Sequence, residues 1–309
     1  MKKVFIIHEN DEWIIPLRRA LKEINQPFEE WHMGKMGTLD TTTKPENGVY
    51  YNRMSASSHT RNHRYAPELT AVTLEWLKTN NARVINGPRA LQLEISKITQ
   101  YESLKKYKID VPTTLAATTR DQIIDNAKKM KLPFITKHNR GGKGLGVYLF
   151  NDIDMLETYV YSNDYVGSID GITLIQEYIK SPEPYIIRME FIGAKLIYAV
   201  SVNTSEGFQL CPCETKGLSA GTGFCPTSIG GNDKFKIISS FKHPLVIPVQ
   251  NFLKDNDIQI AGVEFIEDES GNFYVYDINT NTNYNSYAEE KAQMFGMREI
   301  ANFLRNEIS

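Results

Sequence analysis

The chain opens with the apolar run Val4-Phe5-Ile6-Ile7, which reads as a strand. Trp13, Leu17, Leu21 and Ile24 then recur at helical spacing and predict a helix over 12–24. Pro27–Trp31 and Val49–Tyr51 read as further strands, Pro67–Lys78 as a helix, and Arg83–Gly87 as a strand running into a turn. Strand and helix signals alternating in this way predict a small parallel α/β layer over residues 1–90.

From Pro88, which suits a first helical turn, one helix is predicted to about Tyr107. A strand follows over Val111–Ala117, then a helix over Thr119–Met130 capped by Thr118 or Thr119. Strands at Phe134–Lys137 and Gly146–Phe150 flank a glycine-rich loop, Asn151 or Asp152 caps a helix to about Ser162, and Ile172–Ile179 is a strand. Residues 185–210 read as an antiparallel meander of Tyr185–Ile192, Lys195–Asn203 and Phe208–Leu210. Residues 214–233 read as a loop and Pro244–Asp255 as a helix. Ile258–Ile266 and Phe273–Ile278 form a hairpin, and Tyr287–Asn306 a terminal helix with Met294, Met297, Ile300 and Leu304 on its apolar face.

A chain of 309 residues is long enough for two or three small domains. Its net charge of −2 gives no global attraction to nucleic acid or to an acidic membrane. No apolar run approaches the ~20 residues that span a bilayer. The start lacks the longer apolar stretch and cleavage site of a signal peptide, so a cytoplasmic location is expected. The odd set Cys211, Cys213 and Cys225 argues against a disulfide framework. Its C-x-C spacing suits part of a zinc site, but His243 is distant and no fourth ligand is evident, which favours structural or free thiols.

Candidate chemistry sits in ordered segments. In Pro133–Val147 a strand ends on Lys137, and Arg140-Gly141-Gly142-Lys143-Gly144-Leu145-Gly146 leads into the next strand. Glycines let backbone N–H groups approach phosphate, although a plain hairpin connection fits the same residues. A P-loop is excluded because Gly144 follows Lys143, and a dinucleotide fingerprint because strand rather than helix follows Gly146. Further on, Asp277 and Asn279 share a strand face by the two-residue period, and Glu264 on the partner strand can face them. Two carboxylates and an amide oxygen form a hard ligand set that suits Mg²⁺ held jointly with ATP phosphates; a solvated polar strand face is the alternative. Gln176-Glu177-Tyr178-Ile179 ends another strand.

Together these segments resemble the ATP-grasp superfamily, and most closely its RimK-like carboxylate–amine ligases. The resemblance runs through most of 88–285: Lys97 before Val111-Pro112, Lys137 before the glycine loop, the hinge Gln176–Ile179, and Glu264 with Asp277 and Asn279. It implies an N-terminal parallel α/β domain over 1–90, followed by two α+β lobes that clamp a nucleotide: a small lobe with a glycine-rich lid over 91–180 and a C-terminal lobe with the metal site over 181–309. It further implies an ATP- and Mg²⁺-dependent enzyme, with Mn²⁺ as an alternative ion, that joins a carboxylate to an amine through an acyl-phosphate. Amino acid or small-peptide substrates are expected. A homodimer is the family default.

In that reading Lys97, Lys137, Arg140, Gly141, Gly142, Lys143 and Gly144 face the phosphates. Glu177, Tyr178 and Ile179 hold the adenine edge, and Glu264, Asp277 and Asn279 the metal. Arg188 matches the arginine of the family's D-x-R motif and joins Lys137 as a catalytic candidate. The chain departs from the pattern in three places. Ile186 replaces the motif's acid, with Glu183 a candidate for the lost ribose contact. Phe208–Lys216 replaces R-x-N, with Lys216 a candidate substitute. The metal carboxylates run Glu then Asp, where the group usually has Asp then Glu. Among the arginines and histidines of Tyr51–Arg64, related ligases point to Arg53, with Ser55, His59 and Asn281 as further candidates for the substrate. A solvated loop is the alternative there. An ATP-grasp kinase and a non-catalytic nucleotide-binding protein are the competing functions.

Overall fold

The computed structural model describes residues 2–142, 144, 146–205 and 234–308. Strands β1 (Lys3–His8), β2 (Phe28–His32), β3 (Gly48–Asn52) and β4 (Arg83–Ile85) form a parallel sheet in the order β2-β1-β3-β4. Both faces are covered, which is why β1 is apolar throughout rather than alternating. Val4, Ile6, Val49 and Tyr51 pack toward the helices Ile15–Glu23 and Gly296–Glu307. Phe5, Ile7 and Tyr50 pack on the other face, with Leu74 and Leu77 of the helix Ala66–Thr79.

The second sheet is antiparallel, with β5 (Thr114–Ala117), β6 (Phe134–His138), β7 (Tyr148–Phe150) and β8 (Thr173–Glu177) in the order β5-β8-β6-β7. The helices Arg120–Ala127 and Ile153–Tyr161 cover it through Ile123, Ala127, Leu156 and Val160. Their N-terminal amides are met as expected, Thr119 accepting from Gln122 N and Asp152 from Met155 N.

The third sheet is also antiparallel. It holds β9 (Tyr185–Ile192), β10 (Lys195–Asn203), β11 (Phe235–Ile238), β12 (Ile260–Glu267) and β13 (Phe273–Asn279), in the order β11-β10-β9-β12-β13. Met189, Phe191, Val263 and Val275 turn one face toward the helix Val246–Asp255. On the other face Ile186, Ile192, Tyr198 and Ile260 join the core shared with the parallel sheet. This mixture of α/β and α+β layers is the expected fold class. Among the described residues no helix is long and apolar enough to cross a membrane.

Two predicted elements differ. The helix from Pro88 is two, Pro88–Glu94 and Lys97–Lys105, because Ser96 is extended and Asn139 captures the freed amides of Lys97 and Ile98. The terminal helix is also two, Ser286–Ala292 and Gly296–Glu307, broken at Gln293 in the left-handed region with φ 55°. A Cβ on Gly296 would meet the Tyr284 ring at 2.6 Å, so only glycine lets the second segment start there. The third meander strand, Phe208–Leu210, lies outside the described residues, as do the predicted loop's residues through 233 and the three cysteines. Among the described residues, β10 pairs with β9 on one side and β11 on the other.

The Gly296 amide donates to Glu289 Oε1 at 2.5 Å, and the Tyr198 hydroxyl donates to the same oxygen at 3.0 Å. Burial raises the Glu289 pKa from its ordinary 4.5 to about 7. The folded state therefore holds a proton that the unfolded chain releases near pH 4.5. The associated stability is complete below that pH and is lost as pH rises through 7. Glu289→Gln keeps an oxygen for both donors and removes the charge. Its Tm relative to the parent should rise between pH 5 and pH 8, by a margin of up to about 3 kcal/mol in stability. Thermal melts across that range test this, and a pH-independent difference would contradict it.

Candidate active site

A cavity of about 630 Å³ lies where the three sheets meet. Its acidic wall is built by the β12–β13 hairpin. The register sets Glu264 opposite Asp277 and Gly262 opposite Asn279, with a bulge just after Glu264. Arg188 on β9 is opposite Glu264 from the other side. Its guanidinium donates to Glu190 Oε1 (2.5 Å), Glu264 Oε1 (2.9 Å) and Thr282 Oγ1 (2.7 Å), and Thr282 in turn donates to Glu190. A Cβ on residue 262 would lie 2.4 Å from Arg188 Nη2, so glycine is what admits the fork.

The basic wall faces these carboxylates. Lys97 starts the helix created by the break at Ser96, and its ammonium contacts Asp277 Oδ1. Lys137, buried on β6, donates to the Tyr101 hydroxyl at 2.9 Å and lies 5.6 and 5.8 Å from the Tyr101 and Tyr276 ring centroids.

The charges do not cancel inside this site. Burial lowers the Lys137 pKa against the pull of Asp277 and Glu264. Burial also raises Glu264, even with Arg188 beside it. Asp277 is pushed up by burial, but Lys97 and Lys137 outweigh that and its pKa is lowered. A buried ammonium whose neighbours are phenols and rings suits an anionic ligand. A buried carboxylate that resists ionisation suits a cation. Phosphate at Lys137 and a hard divalent ion at Glu264, Asp277 and Asn279 fit this donor set.

The other predicted residues divide. Gly141, Gly142, Gly144, Glu177, Tyr178, Ile179, Glu183, Ser55 and Asn281 line the cavity. Glu177 also accepts from the Thr113 amide at 2.6 Å. Lys143 and Lys216 lie outside the described residues. Arg140, Arg53 and His59 are not among the lining residues. Arg140 is buried against Glu68, at 2.8 Å. Arg53 is buried and donates to Asn281 Oδ1 (3.1 Å), Thr282 O (3.0 Å) and Asn283 Oδ1 (2.8 Å), so it ties β3 to the segment after β13. His59 sits half-buried in the short helical turn Ser58–Arg61, where burial and Arg140 lower its pKa.

Sequence reasoning missed Glu94, Glu190, Tyr101 and Thr282. Glu94 lines the cavity and accepts from the amides of Thr280 (2.7 Å) and Ala56 (3.2 Å). Glu190 was within reach of the strand period, since it lies two residues from Arg188 on the same face. Tyr101 and Thr282 carried no such signal.

Residues 95–212 match the RimK-like ATP-grasp domain. Beta-citrylglutamate synthase B of Danio rerio is 22% identical over 214 residues, which are 68% of this chain and 48% of that protein. The chain thus matches about half the length of that relative. Among solved structures, a RimK domain ATP-grasp protein from Sphaerobacter thermophilus is similar with a TM-score of 0.67 and 16% identity, covering 97% of this chain and 98% of that one. The ATP-grasp ligase PsnB, complexed with a phosphomimetic variant of its minimal precursor, Mg and ADP, is similar with a TM-score of 0.66 and 13% identity, covering 100% and 99%. Those likenesses span the whole chain and establish its architecture. Residues 95–212 are thus similar to a RimK-like ATP-grasp domain, and the chain has the ATP-grasp fold.

Proposed function

We propose that this chain is an ATP- and Mg²⁺-dependent ligase that joins a carboxylate to an amine. The observation that carries the reading is the opposition of Glu264 and Asp277 to Lys97, Lys137 and Arg188 at one cavity. Lys97 and Lys137 hold the phosphates, and the backbone at Gly141, Gly142 and Gly144 covers them together with Lys143. The main chain of Glu177, Tyr178 and Ile179 takes the adenine edge, with Glu183 toward the ribose and Lys216 as a further contact. Glu264, Asp277 and Asn279 hold Mg²⁺, with Mn²⁺ as an alternative, and the ion supplies neutralisation of charge on the transferring phosphoryl group.

A substrate carboxylate oxygen attacks the γ-phosphorus as the bond to the ADP oxygen breaks. The amine nitrogen then attacks the acyl carbon, phosphate leaves, and the nitrogen loses a proton. Arg188 stands beside Glu264, where it stabilises negative charge on the acyl-phosphate. Enclosure by the glycine segment keeps water from that mixed anhydride. Ser55 and Asn281 are the substrate-side contacts, on amino acids or small peptides. Arg140 and Arg53 act here by positioning, through Glu68 and Asn281. Domains over 1–90, 91–180 and 181–309, a cytoplasmic location and a homodimer complete the reading.

ADP release from MgATP, measured over a panel of carboxylates paired with amines, should require both partners. ADP formed with a stable phosphorylated product and no amine would instead mark a kinase. Asp277→Asn should lower turnover by about 10²–10³-fold with the fold intact by circular dichroism. Gly262→Ala should destabilise by about 1–3 kcal/mol in urea unfolding and lower turnover as well, because the new methyl displaces the Arg188 fork. A variant of parental stability and rate would remove Arg188 from the mechanism.

A further inference from the structure

The carboxyl ends of β1 and β2 hold a polar cluster outside the cavity. His8 ends β1, His32 ends β2, and the parallel register sets them side by side with ring centroids 5.0 Å apart. Asp11, in the turn after β1, brings Oδ1 to 3.6 Å from His32 Nε2. One potential ligand atom from each of the three lies within 4.8 Å of the others.

Both ring nitrogens of both histidines are buried and make no hydrogen bond. His8 is 3% exposed. Glu30 Oε2 is 3.3 Å from His8 Nε2 but outside hydrogen-bonding geometry, and Glu30 already receives the Arg18 fork at 2.7 and 2.8 Å. Buried imidazole nitrogens normally make well-formed hydrogen bonds, so adjacent rings that have only carboxylate oxygens at 3.3 and 3.6 Å point to a group that binds between them. His63 is as near to His32, at 5.1 Å by ring centroid, but its Nδ1 is already paired with Glu9 at 3.0 Å.

We propose that His8, His32 and Asp11 bind one divalent cation of the zinc class, at a site separate from the Mg²⁺ carboxylates. Imidazole nitrogen suits zinc-class ions, whereas the Glu264–Asp277–Asn279 set is all oxygen. Around a tetrahedral ion, ligand atoms stand about 3.4 Å apart, close to the existing His32–Asp11 separation. Closing the remainder takes side-chain adjustments of about 1 Å from separations already within 4.8 Å, and the exposed Asp11 carboxylate is held only by a surface pair with Lys35. A fourth position stays open to water or a ligand.

The site has a route to the cavity. Asn10 Oδ1 accepts from the amides of Glu12 and Trp13 at 2.9 and 3.0 Å, shaping the turn that carries Asp11, and Trp13 lines the cavity. A cation held by Asp11 fixes that turn and with it the position of Trp13.

Zn²⁺ titration by calorimetry, with saturating Mg²⁺ to occupy the oxygen site, should show one equivalent on the full chain. Co²⁺ should give the visible absorption of a nitrogen–oxygen tetrahedral site. His32→Gln and Asp11→Asn, at partly exposed and exposed positions, should each weaken Zn²⁺ at least tenfold and leave MgATP binding unchanged. Absence of a Zn²⁺ equivalent on the parent chain would overturn the proposal. So would an equivalent of unchanged affinity in both variants, which is the result if Cys211, Cys213 and Cys225 hold the ion instead.

Discussion

The buried guanidinium of Arg188 is the contact on which the rest of the site depends. It joins β9 to β12 through Glu264 and to the segment after β13 through Thr282, while Glu190 balances its charge. Burial works against that charge, and Glu190 and Glu264 outweigh it, so the Arg188 pKa is raised. Removing one partner from such a group leaves an uncompensated buried charge, at a cost of about 3–5 kcal/mol. The same short segment is gripped from two other directions. Arg53 holds 281–283 from β3, and Glu94 holds the Thr280 amide from the helix before Lys97. Asn86, after β4, donates to the carbonyls of Ile260 and Thr280 and accepts from the amides of Gln259 and Ile260. Residues 280–283 therefore form the junction at which the parallel sheet and the large antiparallel sheet are fixed to each other, one step from the proposed metal ligands.

That junction explains the charge layout of the cavity. The hairpin carries carboxylates, and the ammonium groups come from elements that approach it from elsewhere, Lys97 from a helix start and Lys137 from β6. The Lys97 position exists only because Asn139 takes over the amides of the helix that begins there. Asn139 follows Lys137 by two residues, so the end of one strand sets both lysines. The side chain of Gln176 donates to Tyr101 and Thr114, and Tyr101 accepts from Lys137 and donates to the Tyr276 carbonyl. The hinge strand, the basic wall and the acidic hairpin are thus linked through one phenol.

The legible parts of this arrangement were those decided within a few residues. The β12–β13 hairpin and its polar face follow from alternation and from the turn residues at Asp268–Asn272, and Thr119 and Asp152 announce their helices by capping. The break at Ser96 was not legible, because the Asn139 contacts that take the freed amides come from a distant strand end, while the break at Gln293 had only Gly296 to signal it. The partners of Arg53 were hidden for the same reason. An Asn-Arg pair at a strand end reads as a ligand contact, yet its acceptors lie 228–230 residues away and consume it. Arg140 is likewise consumed by Glu68, 72 residues off. Tertiary partners at such distances leave no periodicity in the chain.

The same accounting constrains what approaches the cavity from the N-terminal side. Arg61 is matched by Glu9 at 2.5 Å and lies over the Trp13 ring at 4.8 Å, while Arg53 and Arg140 are matched as described. Among the described lining residues on that side, Glu94 is engaged by the amides of Ala56 and Thr280, and the others are neutral: the hydroxyls of Ser55 and Ser57, the amides of Asn281 and Asn283, and the Trp13 ring. Neutral donors and acceptors of this kind discriminate by hydrogen-bond geometry rather than by net charge, because an unmatched polar group there loses its water without replacement. Among the described lining residues, the cationic groups beside the carboxylates are Lys97, Lys137 and Arg188. In the proposed function, the carboxylate of a substrate is drawn toward these cations, and the remainder of the molecule faces serine, asparagine and tryptophan.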